Sequence, residues 1–482
     1  MIHITNNKNN LNLFFFTLSS IMVNLRKSLR YLLIAFSMLV AIEVFSQENV
    51  EVNGYILATG RRLPFLYAIS LDDALNSENN NSAKAIVSRN KVALDRLDGQ
   101  LLGDPANLLL SDDSETVYVI NHHGSIDNGE FLQHGGRGHI AALNVNAAIS
   151  RQNDRTANAL LGHMDSGGFG AIGAVLLPDM IAINNAENNL TEDGGNSVSF
   201  VDLSTGSLRG KVELALGSPG FECEEYPVPY VSPYGPPRNR AVLAPDPSFG
   251  CFPNPNGLAM GVSSAGDRFL FTANGGTDDV SVINLQLALS GDSGAEINRI
   301  PNHVGAWGIA STPNGRYVFV AHGGSQNQSR AGNTIAILDV DRVARGLDAE
   351  VARILTGTDD AQQATHPLIP SVTPDGTELI VANLRGNSVS IINIAMAVSG
   401  NPNAEVARIP LTRADGNPAR PKGTAVSPDG RYAAVSGGSG LRPYSQELGY
   451  VYIIDLESRT VVSTVTGVGN DPYGLTFLGG DN

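Results

Sequence analysis

Several histidines interrupt regular stretches of this sequence, and an imidazole can bind a metal ion or act as a general base near neutral pH. His322 ends the stretch RYVFVAHGGS, whereas the related stretches RFLFTANGG and ELIVANLRG carry asparagine at that position. His303 and His366 stand before two further apolar stretches, in PNHVGAWG and ATHPLIP. Convergence of these side chains with His123 would give a copper or zinc site. No two of them have the short spacing of a motif such as HExxH, so histidines scattered over separate turns are the alternative.

A second set of candidates occupies the position that opens the first strand of each repeat. This position carries the only tryptophan of the sequence, together with lysine, tyrosine, asparagine and two apolar residues. Such a mixture predicts a pocket with apolar and polar sides. The members of this set are Ala106, Asn256, Trp307, Leu368, Lys422 and Tyr473. Side chains that only plug the centre of the fold are the alternative.

Asparagines that align with His322 form a third set, of which Asn274 and Asn383 are ligand-binding candidates. Asparagine also satisfies backbone groups in turns, which is the structural alternative. Acidic residues in AENNLTEDGGN, namely Glu187, Glu192 and Asp193, offer the oxygen ligands that calcium prefers. The stretch lacks the spacing of an EF-hand loop, so a solvated acidic loop is the alternative there.

The two cysteines, Cys223 and Cys251, both lie in the long segment GSPGFECEEYPVPYVSPYGPPRNRAVLAPDPSFGCFPN, residues 217–254. In an oxidising compartment we expect them to form one disulfide. That bond would remove roughly 3–4 kcal/mol of chain entropy from the unfolded state. The segment is then either a stiff lid or rim, or a compact loop packed over the edges of the fold.

The elements that position these residues come from a repeat that begins near Gly99. Each copy has an apolar strand, a turn such as TPDGT or SPDGR, a second strand, a loop, and a third strand such as SVSIINI or TIAILDV, followed by a fourth. The pattern predicts an all-β, seven-bladed β-propeller with four-stranded blades. The first copy lacks an opening strand, and the tail DPYGLTFL matches the opening phrase RPKGTAVS. We therefore expect the C-terminal strand to close the ring, which a β-sandwich would not explain.

The PDG turns, the VAN strand endings and strands such as DVSVIN resemble those of the YVTN family of seven-bladed propellers, which includes exported bacterial and surface-layer proteins. Lactonase-like propellers are related to it. The resemblance extends over nearly the whole chain and implies the propeller fold. It does not imply one activity, because this fold carries many.

The long insertions of the repeat all fall in second-to-third-strand loops or between blades, which open on the same face of a propeller. They are residues 122–138, 186–196, 217–254, 323–332 and 437–449. Insertions gathered on one face usually mark the binding side. We call this side the inserted face.

The N-terminus has the pattern of a signal peptide, with the basic stretch NLRKSLR, the apolar stretch YLLIAFSMLVAIEVF and a cleavage site before Gln47. We expect translation to start at Met22, residues 1–46 to be removed, and residues 47–482 to form a single propeller in the periplasm or outside the cell. Removal takes away four basic residues and one acidic residue, so the net charge moves from −15 to −18. Such a surface disfavours nucleic acid and anionic membranes. We expect a monomer without a membrane span.

The sequence constrains the function less than the fold, because no GxSxG, P-loop or CxxCH motif occurs in it. The leading hypothesis is an exported binding protein, with a small molecule, glycan or protein partner on the inserted face. The alternative is an enzyme, either a lactonase-like hydrolase or one that uses a histidine-bound metal. A polysaccharide lyase with a histidine base is a weaker alternative.

Overall fold

The computed structural model describes residues 54–61, 63–87, 92–94, 96–97, 100–101, 104–122, 126–127, 130–131, 138–150, 159–187, 195–215, 253–324, 332–357, 365–438 and 446–479. These residues form seven four-stranded antiparallel sheets, which are the blades of a propeller. The predicted fold class is confirmed. Within the described residues, no helix is both long and apolar enough to span a membrane.

Each blade has four strands, which are numbered outward from the axis, and the blades run from 1 to 7 around the ring. The innermost strands are Leu475–Leu478, Pro105–Leu110, Phe169–Leu177, Pro255–Val262, Ala306–Ser311, Pro367–Val372 and Pro421–Val426. The second strands are Tyr55–Thr59, Thr116–Asn121, Met180–Glu187, Arg268–Asn274, Tyr317–His322, Glu378–Asn383 and Tyr432–Gly437. The third strands are Phe65–Ser70, His139–Asn144, Ser197–Asp202, Asp279–Asn284, Thr334–Asp339, Ser388–Asn393 and Tyr450–Asp455. The fourth strands are Val92–Ala93, Leu160–Asp165, Leu208–Glu213, Glu296–Ile300, Glu350–Leu355, Glu405–Pro410 and Thr460–Thr466.

Burial follows the composition of the strands. The third strand Ser388–Asn393 (SVSIIN) is buried at all but its last residue, because blades cover both of its faces. The fourth strand Glu405–Pro410 (EVARIP) is the outer edge of the same blade and is more exposed, with Val406, Arg408 and Pro410 toward solvent. The cores therefore lie between neighbouring blades, and successive innermost strands contact each other around the axis.

The C-terminal strand closes the ring, as the sequence predicts. Leu475–Leu478 pairs antiparallel with Tyr55–Thr59, so that Leu478 lies opposite Tyr55 and Leu475 opposite Ala58. The same strand contacts the innermost strands of blades 7 and 2. Blade 1 is thus built from both ends of the propeller, and the ring has no open seam between its first and last blades.

Short helices follow the third strand in five blades, a feature that the sequence analysis did not predict. They are Leu71–Leu75, Val145–Ile149, Leu285–Leu289, Val340–Ala344 and Ile394–Val398, and a 3₁₀ helix spans Ser77–Asn79. The last residue of the third strand, which is asparagine or aspartate in four of these blades and Ser70 in blade 1, is the N-cap of the helix. The Asn393 side chain, for example, accepts a hydrogen bond from the Met396 amide. Two small hairpins are also present, Arg96–Leu97 with Gln100–Leu101 and Ile126–Asp127 with Glu130–Phe131.

Candidate functional site

The inserted face is where the innermost strands begin and the second strands end. Ala306 pairs with His322, and Pro367 pairs with Asn383, at that end of blades 5 and 6. Just beyond these pairs the register shifts in six of the seven blades. A shift of this kind re-aims the side chain at the irregularity. In blade 4 it falls at Asn256, and in blade 5 it includes Trp307.

Glycines next to these positions let the innermost strands approach one another closely. A Cβ atom added at Gly257 would lie 2.6 Å from the Trp307 carbonyl oxygen, and one added at Gly173 would lie 2.6 Å from the Asn256 carbonyl oxygen. No larger residue fits such an approach of two backbones. Successive innermost strands therefore lie against one another around the axis, and we call the region at their first residues, on the inserted face, the axial mouth.

The axial mouth contains a cavity of about 90 Å³ that receives residues from all seven blades. Four of the six predicted mouth residues line it, namely Ala106, Asn256, Trp307 and Tyr473. Leu368 and Lys422 are buried nearby but are not lining residues. The sequence analysis missed Ile172, which has the same place in blade 3, as well as Asn107 and Thr424. Ile172 could have been found by alignment, since GAIGAV carries it just before a glycine.

Three polar side-chain groups of the axial mouth have no hydrogen-bond partner among the described residues. The Asn256 Nδ2 donates a hydrogen bond to the Asn254 carbonyl oxygen at 3.0 Å, while its Oδ1 has no partner among the described residues. The Trp307 Nε1–H and the Tyr473 hydroxyl have none there either. Three residues that line the cavity, from three blades, thus each carry a polar group that the described part of the fold leaves without a hydrogen-bond partner.

Charged groups cluster on one side of the mouth, around Tyr473. The Arg61 guanidinium lies 4.5 Å from the centroid of the Tyr473 ring, and the Lys422 Nζ lies 5.0 Å from it. Each cation meets a buried acid: Arg61 Nε is 3.5 Å from Asp104 Oδ2, and Lys422 forms an ion pair with Asp471. The sequence analysis missed Arg61 and both acids. Their only common signal is the dipeptide Asp-Pro, which precedes the mouth position in blades 1 and 2.

His303 and His322 form a buried pair in blade 5. The His303 Nδ1 lies 3.0 Å from the His322 Nε2, and the ring planes meet at 61°. The other nitrogen of His322, Nδ1, lies 2.7 Å from the Thr334 hydroxyl. The His303 Nε2 is 3.6 Å from Glu350 Oε2. The exposed fractions of the two histidines are only 0% and 2%.

The ring nitrogens form a chain of two hydrogen bonds, between His303 Nδ1 and His322 Nε2 and between His322 Nδ1 and the Thr334 hydroxyl. The His303 Nε2 has no hydrogen-bond partner among the described residues, since Glu350 lies too far from it for a hydrogen bond. Of the two nitrogens that face each other, one donates and the other accepts, according to the tautomers of the two rings. Both imidazoles are neutral in this arrangement. Burial, with the Arg353 guanidinium, lowers the pKa of His303 from 6.5 to about 3; burial and the neighbouring His303 hold the pKa of His322 well below its ordinary value.

The asparagines aligned with His322 are buried and bonded inside their blades. Asn383 Nδ2 donates to the hydroxyls of Ser388 and Ser390, at 3.2 and 2.7 Å. Asn274 Nδ2 likewise donates to Asp279 Oδ1 and to the Ser281 hydroxyl, both at 2.8 Å. Neither asparagine lines the axial cavity. Their contacts match the structural alternative, in which the side chain ties the second strand to the third.

The remaining histidine candidates do not complete a metal site in the described residues. His366 is buried beside Gly323, the residue that follows His322, with a φ of 52°. Burial and the Arg385 charge lower its pKa from 6.5 to about 4. His123 lies outside the described residues. Across the ranges that the structure describes, no three His, Cys, Asp or Glu side chains are arranged to hold a metal ion.

Other candidates fall wholly or partly outside the described residues. Both cysteines lie there, as do Glu192 and Asp193, so the disulfide and the calcium site stay predictions. A second histidine pair that the sequence analysis missed lies in blade 2, where the ring centroids of His139 and His163 are 5.3 Å apart. Burial, with the His163 ring, lowers the pKa of His139 to about 3. This pair lies across the third and fourth strands, away from the lining of the axial cavity.

Comparison with known proteins supports the fold and does not establish a function. No family model and no curated protein matches the chain. It is similar to a periplasmic gluconolactonase from Pseudomonas aeruginosa, with 15% identity and a TM-score of 0.55 over 88% of this chain and 99% of that chain. It is also similar to a candidate 6-phosphogluconolactonase from Bacteroides fragilis (13% identity, TM-score 0.52, 90% and 100% covered). A functionally unknown protein from Desulfotomaculum acetoxidans gives 13% identity and a TM-score of 0.52, with 89% and 99% covered. At these identities the likeness concerns the fold alone.

Proposed function

We propose that this protein is an exported β-propeller that binds a small polar ligand in the axial mouth of its inserted face. The observation that carries the proposal is the set of unused polar groups around the cavity, contributed by Asn256, Trp307 and Tyr473. The described part of the fold leaves these groups without partners, so a ligand can take them up without breaking a protein hydrogen bond. Concave sites with an aromatic wall and a few placed polar atoms are the usual form of small-molecule sites.

Binding fits the cavity better than catalysis does. Tyr473 is the only titratable side chain among the described residues that line the cavity, and none of these carries an imidazole or a carboxylate. A hydrolase that works by acid–base chemistry needs such a group within hydrogen-bond reach of the reacting atoms. The histidine pair of blade 5 does not supply it, because its nitrogens face each other, Thr334 and Glu350.

The chemistry of the mouth favours a polyhydroxylated carbon chain. The Trp307 indole provides an apolar face for C–H groups, while the Asn256 oxygen and the Tyr473 hydroxyl suit hydroxyl groups. A volume of about 90 Å³ holds a few water molecules but not a whole hexose, so one end of the ligand would enter and the rest would lie in the mouth. Sugar acids and their lactones are suitable probes, since one solved structure of this fold is described as a periplasmic gluconolactonase.

The proposal places the mature chain in the periplasm or outside the cell, on the basis of its signal-peptide pattern. Export by such a signal also agrees with the predicted Cys223–Cys251 disulfide, which an oxidising compartment would allow. We also propose that the protein is a monomer. The acidic net charge of −15 for the full sequence argues against a nucleic-acid partner.

The test uses Trp307 as a built-in reporter, because it is the only tryptophan of the sequence. The mature protein is titrated with D-gluconate and with D-glucono-1,5-lactone while the tryptophan emission is recorded. We expect a saturable change that Asn256→Ala weakens about tenfold. Asn403→Ala is the matched control, since Asn403 is exposed in a turn between the third and fourth strands of blade 6.

The same samples discriminate the enzyme alternative. If the lactone opens faster with protein than without, and Asn256→Ala abolishes the acceleration, the lactonase-like hypothesis replaces the binding hypothesis. If neither probe changes the emission, the axial mouth does not bind this class of ligand and the proposal fails for it.

A further inference from the structure

The charges around Tyr473 give the axial mouth two different sides. On the side of blades 4 and 5 the lining side chains are Asn256 and Trp307, which carry no charge. On the side of blades 7, 1 and 2, Lys422 and Arg61 both reach the Tyr473 ring, which itself lines the cavity. A ligand in the mouth would therefore have cations near one end only, beside Tyr473.

The fold itself does not need charged groups here. Lys422 has the repeat position at the start of the innermost strand. Blades 2, 3 and 6 fill this position with Ala106, Ile172 and Leu368, which are small or apolar and about equally buried. Buried ion pairs contribute little net stability compared with well-packed apolar residues, because desolvation offsets their attraction. Two ion pairs gathered at one tyrosine therefore point to a role other than packing.

The cations are more accessible than the acids that accompany them. The side chains of Arg61 and Lys422 are 12% and 8% exposed, whereas those of Asp104 and Asp471 are 0% and 4% exposed. The acids are thus the more deeply buried partners, and the cations lie beside the ring of Tyr473, the residue through which they are near the cavity. Because the net charge of −15 disfavours the approach of anions, nearby cations would favour the binding of an anionic ligand here.

From this asymmetry we infer that the ligand of the axial mouth is a small carboxylate, whose anionic end lies beside Lys422 and Arg61 and whose hydroxylated chain extends toward Trp307. The inference rests on the proposed function and narrows its ligand from polar molecules in general to sugar acids. A hydrogen bond to a charged group in a partly desolvated site is worth roughly 1.5–3 kcal/mol, which is about tenfold or more in affinity.

The experiment compares D-gluconate with D-gluconamide, which has the same chain but no charge, by tryptophan emission of the mature protein. We expect gluconate to bind at least about tenfold more tightly than the amide, and to weaken with added salt. In Lys422→Gln/Asp471→Asn the ion pair becomes a neutral pair of similar shape, so no buried carboxylate is left alone. There we expect the preference to fall to about twofold or less, while the affinity for the amide stays within about twofold.

Lys211→Gln/Glu213→Gln is the matched control, because it neutralises an exposed ion pair on the fourth strand of blade 3 without touching the mouth. It should keep the full preference for gluconate. Should the Lys422 variant fail to fold by circular dichroism, Arg61→Gln/Asp104→Asn provides the same test at the second ion pair.

Two results would overturn the inference while leaving the proposed function intact: equal binding of gluconate and amide by the unsubstituted protein, or a gluconate preference that survives the Lys422 substitution. Absence of any emission change with both probes would instead contradict the proposed function, and the inference with it.

Discussion

Blade 5 contributes to two regions rich in polar groups, and they use those groups in opposite ways. In the buried pair, three of the four ring nitrogens of His303 and His322 are hydrogen-bonded inside the protein, and the fourth, His303 Nε2, lies 3.6 Å from Glu350. Trp307, four residues after His303, lines the axial cavity, and its indole nitrogen has no hydrogen-bond partner in the described structure. A residue type that suits chemistry is therefore weak evidence of a site; polar atoms left unused at a cavity are stronger evidence.

Comparison with blade 6 shows which contacts of the repeat the histidine pair replaces. Asn383 uses two serines of the third strand, Ser388 and Ser390. In blade 5 the corresponding residues are Thr334 and Ala336, since His322 pairs with Thr334 as Asn383 pairs with Ser388. Alanine at this position offers no second hydroxyl, and the His322 ring instead places its Nε2 3.0 Å from His303, on the connection from blade 4. His322 thus ties two blades together where asparagine ties two strands.

The largest expected effect comes from breaking the pair. His303→Ala would remove a fully buried ring and leave the His322 Nε2 without its hydrogen-bond partner. We expect the free energy of unfolding to fall by about 2–4 kcal/mol in urea titrations. Gluconate binding to the remaining folded protein should not change. A loss below about 0.5 kcal/mol would contradict the structural role assigned to the pair.

Acidification should act on the same pair. A histidine whose pKa is about 3 when folded, against 6.5 otherwise, binds a proton more readily in the unfolded chain. Its contribution to stability is therefore complete above pH 6.5 and is lost progressively as the pH falls toward 3. We expect a slope of about 1 kcal/mol per pH unit from this group. The slope should be shallower in His303→Ala, and equal slopes would contradict the account.

A smaller effect should follow from restoring the repeat. His322→Asn alone would leave His303 Nδ1 unpaired and find only one hydroxyl, so we expect a loss of about 1–2 kcal/mol. Adding Ala336→Ser supplies the second hydroxyl, as in blade 6, and should recover about 1 kcal/mol. Thermal and urea unfolding of both variants measure this. A silent His322→Asn would mean that the histidine is simple drift within the repeat.

How far the sequence predicts this molecule depends on the range of the interaction. Strands, blade number and ring closure follow from local phrases such as SVSIIN and DPYGLTFL, which repeat in the chain. The helices were missed because five residues show no helical periodicity, although Asn284 and Asn393 mark their N-caps. The mouth was found because its residues share one repeat position. The sequence analysis found only one of the two cations. Lys422 has that repeat position, whereas Arg61 contacts the Tyr473 ring from the end of another strand. No spacing in the sequence predicts such a contact.

At the mouth, substitution should barely affect stability. Asn256→Ala removes one hydrogen bond, to the Asn254 carbonyl, and should lower the free energy of unfolding by less than about 1 kcal/mol. Its effect on gluconate affinity should be much larger, about tenfold. Calorimetric titration together with a urea curve on the same preparation gives both numbers. A large loss of stability with unchanged binding would reverse the comparison between the two regions.

The most direct test sets the two regions against each other in one calorimetric titration with D-gluconate. Trp307→Ala changes the mouth, and His322→Asn/Ala336→Ser changes the buried pair while keeping a repeat-like set of hydrogen bonds. The account predicts that the histidine variant binds within about twofold of the unsubstituted protein, whereas Trp307→Ala binds at least about tenfold more weakly. Retained binding in Trp307→Ala, with binding lost in the histidine variant, would contradict it and return the site to the histidines.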